Sequence, residues 1–201
     1  MKKIIIINLI LLLLIFIGPR QEQNIKIVND IKNVIIENAV EIIPEEIVIE
    51  PIINLDLTTT SDLRTPSNLK AEDYDKMLEG TNLYGIGTAL EQAEKEHSVN
   101  GLYLMGLACL ESGYGTSNYA VNRNNLVGWN AVNSNPNKAS YFDSKEECIL
   151  YVAEKLKTNY LSENGCYFNG YSARAIDVKY CSDKEHADKI VSIVNKLKNK
   201  I

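Results

Sequence analysis

The stretch Gly101-Leu-Tyr-Leu-Met-Gly-Leu-Ala-Cys-Leu-Glu-Ser-Gly-Tyr-Gly115 ends an uncharged run, residues 102–110, on one carboxylic acid, Glu111. A helix that is apolar on every side runs through a core. The spacing predicts such a helix over Leu102 to Glu111, with Gly113 and Gly115 giving the backbone freedom to end it. Burial and the negative end of the helix dipole would both penalise a charged carboxyl there and push its pKa upward. A carboxyl that keeps its proton near neutral pH can protonate a departing alcohol, the step a glycosidic bond requires. The plainer alternatives are a glutamate that ends a helix by chance, or one paired with Arg123.

Other chemistries fit less well. Two histidines in 201 residues cannot furnish the several ligands of a zinc amidase, so no metal or cofactor is expected. Cys109 paired with His97 or His186 would need a thiolate, which an apolar helix does not stabilise. A second carboxylate for a glycosidase could come from Asp143, Glu146 or Glu147. Glu146 and Glu147 open a helix, where acids are common for dipole reasons alone, which leaves Asp143 as the helper.

The elements that must position Glu111 follow from periodicity and punctuation. Helices are expected at about 71–78, 87–97 and 102–111. Further helices are expected at 145–161, 173–178 and 184–198. The fourth carries Cys148, Ile149, Val152, Ala153 and Leu156 at helical spacing. Between Gly113 and Ala139 the asparagines and glycines predict irregular chain and a small β-hairpin over Leu126 to Tyr141. The expected fold class is α+β, mostly helical, with one small β lobe.

Met1-Lys2-Lys3 followed by an apolar run to Gly18 reads as a signal peptide or a retained N-terminal membrane anchor. Residues 19–61 read as an acidic spacer, with a possible amphipathic helix from Ile27 to Ile43, and residues 62–201 as the catalytic domain. Either reading of the leader puts the domain outside the membrane: secreted, in the cell wall, or anchored to the outer face of the cytoplasmic membrane. A net charge of -5 gives no footprint for nucleic acid. The chain is expected to be a monomer. Its four cysteines allow three full pairings, and Cys166 with Cys181 is the first to test.

Four blocks resemble the bacterial glucosaminidase family of autolysins and phage lysins in the lysozyme-like superfamily. They are Glu111-Ser-Gly-Tyr-Gly-Thr-Ser117, Arg123-Asn-Asn-Leu-Val-Gly-Trp129, Tyr141-Phe-Asp-Ser-Lys-Glu-Glu-Cys148, and Val178-Lys-Tyr-Cys-Ser-Asp183 with Ala187-Asp-Lys-Ile190. The opening Asp62-Leu-Arg-Thr-Pro-Ser-Asn68 is similar to clostridial members. The resemblance covers about residues 62–199. It implies an endo-β-N-acetylglucosaminidase acting on peptidoglycan glycan strands in a lysozyme-like fold. It further implies Glu111 as the catalytic acid, Tyr180 as a cleft tyrosine, and Asn124 and Asn125 as shapers of the loop beside the acid. Tyr114, Asn125, Trp129 and Tyr141 are the candidate sugar contacts. A substrate-assisted route, with Asp143 as helper, is favoured over a second carboxylate. Muramidase, lytic transglycosylase and an inactive wall-binding module are the remaining alternatives.

Overall fold

The computed structural model describes residues 51–131 and 138–201, together with Lys26, Asn29 and Asp30, which are helical and exposed. The apolar leader and most of the expected spacer helix lie outside the described residues. No helix among the described residues is long and apolar enough to cross a membrane.

The compact unit spans Pro51–Ile201, so it begins ahead of the boundary expected at residue 62. Leu57 is the reason: it is buried in the core. Around it, the Asn54 amide donates to the Ser67 carbonyl (2.8 Å) and the Arg174 amide to the Thr59 carbonyl (3.1 Å). A buried leucine with its flanking backbone bonded on both sides belongs to the domain and not to a spacer.

The described part of this unit is built of α1 (Ala71–Leu78), α2 (Gly87–His97), α3 (Gly101–Ser112), α4 (Asn118–Arg123), α5 (Lys145–Asn159), α6 (Ala173–Tyr180) and α7 (His186–Leu197), with a closing 3-10 turn, Lys198–Lys200. Side-chain caps start several of them. Asn100 accepts from the Tyr103 amide, Ser144 from Glu147, Ser172 from Ala175 and Ser117 from Ala120. The Ser117 cap begins α4, which falls in the segment expected to be irregular.

Helix α3 is the axis of the domain. Residues 101–109 are all buried, and α2, α5 and α7 pack around it. Its contact with α7 is unusually close at Gly106, where an added Cβ would lie 2.8 Å from both the Ile190 and Val194 methyls. Because Gly106 faces Ile190 and Val194 while Glu111 meets His186, the two helices run antiparallel. The C-terminus of α3 therefore lies beside the N-terminus of α7.

The β-hairpin is not found: no strand occurs among the described residues, and residues 132–137 lie outside them. The two arms do meet, through the Ser140 amide to the Trp129 carbonyl (2.9 Å) and the Phe142 amide to the Arg123 carbonyl (3.0 Å). Left-handed backbone at Gly128 (φ 64°) and Asn130 (φ 58°) breaks the extended run that a ladder needs. The fold is mostly helical.

Candidate active site

Gly113, in the left-handed conformation (φ 56°), stops α3 one residue after Ser112, so Glu111 occupies its last turn. The sequence argument placed this carboxyl in the core. The structure places it at the core's edge, with a side chain 28% exposed. Residues 101–109 are buried, but the helix emerges before its end, so the carboxyl is not enclosed in the core.

A buried imidazole stands there instead. His186, the first residue of α7, is 3% exposed. Its Nε2 lies 2.9 Å from Glu111 Oε1 and its Nδ1 lies 2.8 Å from Asp177 Oδ1. Asp177, on α6 and also buried, uses its second oxygen to accept from the Ala187 amide (2.8 Å). It thereby satisfies one of the free N–H groups at the start of α7, where the helix dipole favours a negative charge. Three helices thus deliver a chain of acid, imidazole and acid. Burial opposes a charge on His186. The hydrogen bonds to Asp177 and Glu111 and the negative charge of both outweigh it, raising the imidazole pKa from 6.5 to about 10. His186 is cationic at neutral pH.

Glu111 faces a cleft of about 580 Å³. Trp129, Tyr160, Tyr167 and Tyr180 line it, with Lys179 at its edge. The rings form a wall: Tyr160 lies 5.0 Å from Tyr167 and 5.9 Å from Tyr180, and Tyr180 lies 5.7 Å from the His186 ring. Burial, and then the Glu111 charge, pushes the Tyr180 phenol far above its ordinary range, so it stays a hydrogen-bond donor. Apolar faces bearing hydroxyls beside a carboxyl suit a polyhydroxylated ring.

Of the residues singled out from sequence, Glu111, Tyr180 and Trp129 come together in this cleft. Asn125 does not line it, yet it builds one wall. It is 1% exposed, accepts from the Trp129 amide (2.8 Å), and donates to the Trp129 (3.0 Å) and Ser140 (3.1 Å) carbonyls. Asn124, left-handed at the end of α4, donates to the Phe142 and Asp143 carbonyls. Tyr114 packs against the core. Tyr141 is exposed, with the Arg123 guanidinium 4.7 Å above its ring. Asp143 lies ahead of α5, where its amide donates to Glu147 (2.6 Å), and is not among the cleft-lining residues.

The sequence reading missed Asp177, Tyr160 and Tyr167, and it weighed His186 only as a partner for Cys109. A signal was present. His186 falls in register with Ile190, Val194 and Leu197, and Asp177 with Ala173 and Ile176, all on buried faces. A titratable group on an apolar stripe needs a partner. All four cysteines are free thiols. Burial pushes Cys109 up to about 12 and Cys148 up to about 11, so neither is a nucleophile near neutral pH.

The Glucosaminidase family (Mannosyl-glycoprotein endo-beta-N-acetylglucosaminidase) matches residues 87–199. Two Streptococcus pneumoniae proteins, from strains TIGR4 and R6 and provisionally named endo-beta-N-acetylglucosaminidases, are each 33% identical to the chain over 146 residues, 70% of its length. The match spans 22% and 21% of those relatives, so the chain corresponds to a minor part of each. Among solved structures the fold is similar to that of Staphylococcus aureus autolysin E in complex with the muropeptide NAM-L-Ala-D-iGlu. That match has a TM-score of 0.58 at 21% identity and covers 72% of this chain and 74% of the other. A catalytic mutant of that autolysin in complex with the disaccharide NAG-NAM matches with a TM-score of 0.51 at 18% identity, over 72% of this chain and 75% of that one.

Proposed function

The chain belongs to the glucosaminidase family, and from that membership we propose that it is a glycoside hydrolase of the endo-β-N-acetylglucosaminidase type, cutting the β-1,4 glycan backbone of peptidoglycan with Glu111 as general acid. The observation that carries the reading is the position of Glu111: a carboxyl at the end of the central helix, in a tyrosine-walled cleft. The related autolysin was crystallised with peptidoglycan fragments, and its catalytic mutant exchanges a glutamate for alanine.

Glu111 is the one carboxylate among the described residues that line the cleft, which favours a substrate-assisted route over a pair of acids. Glu111 gives its proton to the glycosidic oxygen as the C–O bond breaks. The acetamido oxygen of the same sugar closes on the anomeric carbon. Water then opens that ring, losing its proton to the Glu111 carboxylate. The Tyr180 hydroxyl, a lasting donor, orients the acetamido group, and Trp129 and Tyr167 give the sugars flat faces. Such a substrate lies outside the cytoplasmic membrane, in keeping with the apolar leader.

A single acid in the cleft also fits a lytic transglycosylase. The test is digestion of purified peptidoglycan, borohydride reduction and mass spectrometry. New N-acetylglucosaminitol ends are expected. Muramitol ends would reassign the bond, anhydro-sugars would reassign the reaction, and an uncut wall to which the chain still binds would make it a binding module.

A further inference from the structure

The contact between Glu111 and His186 fixes how many protons the pair can hold. Asp177 accepts from the Ala187 amide with one oxygen and faces His186 Nδ1 with the other. As a carboxylate it can only accept, so Nδ1 carries a hydrogen. One further hydrogen lies between Nε2 and Glu111 Oε1, 2.9 Å apart. It can sit on nitrogen, giving imidazolium beside carboxylate, or on oxygen, giving neutral imidazole beside carboxylic acid. Both arrangements use the same heavy-atom positions.

We propose that His186, oriented by Asp177, is the positioning residue and proton partner of Glu111, and that the proton delivered to the leaving sugar is the one this pair shares. This rests on the reading of Glu111 as the acid. At rest the hydrogen sits on Nε2, since the buried ring is cationic. A glycan filling the cleft takes water away from Glu111, which penalises the charge-separated arrangement and moves the hydrogen to Oε1. The proton passes to the glycosidic oxygen as the C–O electron pair leaves with it, and Glu111 becomes a carboxylate beside neutral imidazole. When water completes hydrolysis its proton returns to Glu111, then to Nε2, and the hydroxide remains on the sugar. The enzyme ends as it began.

The other ionisable groups near the ring do not compete for this proton. Tyr180 from α6 and Tyr103 from α3 have phenols raised by burial and stay neutral. Asp183, in the turn before α7, is held as a carboxylate, chiefly by its hydrogen bond with Lys189.

Sharing has a signature that mere bracing of Glu111 lacks. While the pair holds one proton, the balance between its two arrangements does not depend on pH. A lone acid instead loses about tenfold in protonated fraction per pH unit above its range. Wild-type glycan cleavage should therefore vary by less than about threefold from about pH 6 to about pH 9. The rate of His186→Gln, which keeps an N–H donor, should fall about tenfold per unit over the same span. Parallel profiles, or a variant active at higher pH than wild type, would overturn the proposal.

A second measurement starts from the wild-type protein. The chain has two histidines, so nitrogen NMR of the imidazoles reads only two rings, with His97 as internal reference. His186 should remain protonated well beyond the ordinary imidazole range, and Glu111→Gln should lower its midpoint. A wild-type midpoint near 6.5 would overturn the shared proton. If wild-type protein cuts no glycan, the functional reading itself fails, whatever the NMR reports.

Discussion

Two glutamates in this domain meet opposite fates. Glu94, in the last turn of α2, is buried, and its oxygens accept from the Ser67 amide (2.7 Å) and hydroxyl (3.0 Å), the Asn68 amide (3.1 Å) and the Gly101 amide (2.8 Å). Glu111, in the last turn of α3, has one imidazole as partner and a cleft in front of it. Every donor to Glu94 keeps its proton at any physiological pH, so that carboxylate works as a fixed knot between the start of α3 and the segment before α1. The donor to Glu111 can lose its proton. A carboxylate surrounded by permanent donors builds structure, and one sharing a mobile proton with a titratable base is equipped for chemistry.

The comparison breaks first at activity. Glu111→Gln should lower glycan cleavage by about 10³-fold, measured as reducing ends released from purified walls, with a cooperative melting transition retained. Retained activity would remove the acid role. Glu94→Ala should do the reverse. It leaves three backbone amides without an acceptor, the Ser67 hydroxyl keeping the Tyr74 hydroxyl as partner (2.7 Å), so urea denaturation should show a loss of about 3 kcal/mol or more, while activity per folded molecule is kept. A mild effect on stability would mean that water replaces the carboxylate and that Glu94 is no knot.

Smaller changes sharpen the contrast. Gly106→Ala inserts a methyl 2.8 Å from the Ile190 and Val194 methyls. The expected loss is about 1–2 kcal/mol after the gain in helix propensity, with reduced activity because α7 carries His186 away from Glu111. Intact activity would show that the pair tolerates a wider helix spacing. A further contrast lies in pH dependence. The His186 pKa is about 10 folded against 6.5 in the open chain. Its protonation therefore stabilises the fold fully below about 6.5 and contributes less and less as pH rises through about 10. The melting temperature should fall over that window more steeply in wild type than in His186→Gln, and equal slopes would deny the raised pKa.

Much of the fold was legible in the sequence because local patterns carry it. The uncharged run before Glu111 could only be a core helix, and the spacing of Cys148, Ile149, Val152, Ala153 and Leu156 gave the buried face of α5. Helix α4 and the lack of strand in the described arms of the expected hairpin were not legible. One turn and a half of helix leaves little periodicity, and the strand expectation failed on two left-handed residues and on the grip of Asn125 on Trp129 and Ser140. Glu111, Trp129 and Tyr180 were named from sequence and share the cleft, whereas Asp143 and Tyr141 are not among the residues that line it.

Residue order alone determined that a carboxyl would stand where a wholly apolar helix ends, because helix period and glycine stops act over a few neighbours. It could not determine which group that carboxyl would meet. Burial was the mechanism local reasoning offered, and the helix surfaces before its end. The partner is residue 186, held in turn by residue 177, and Gly106 lets the helix that carries residue 186 lie close against α3. Charge is decided by what lies within a few ångströms in space, and that is a property of packing.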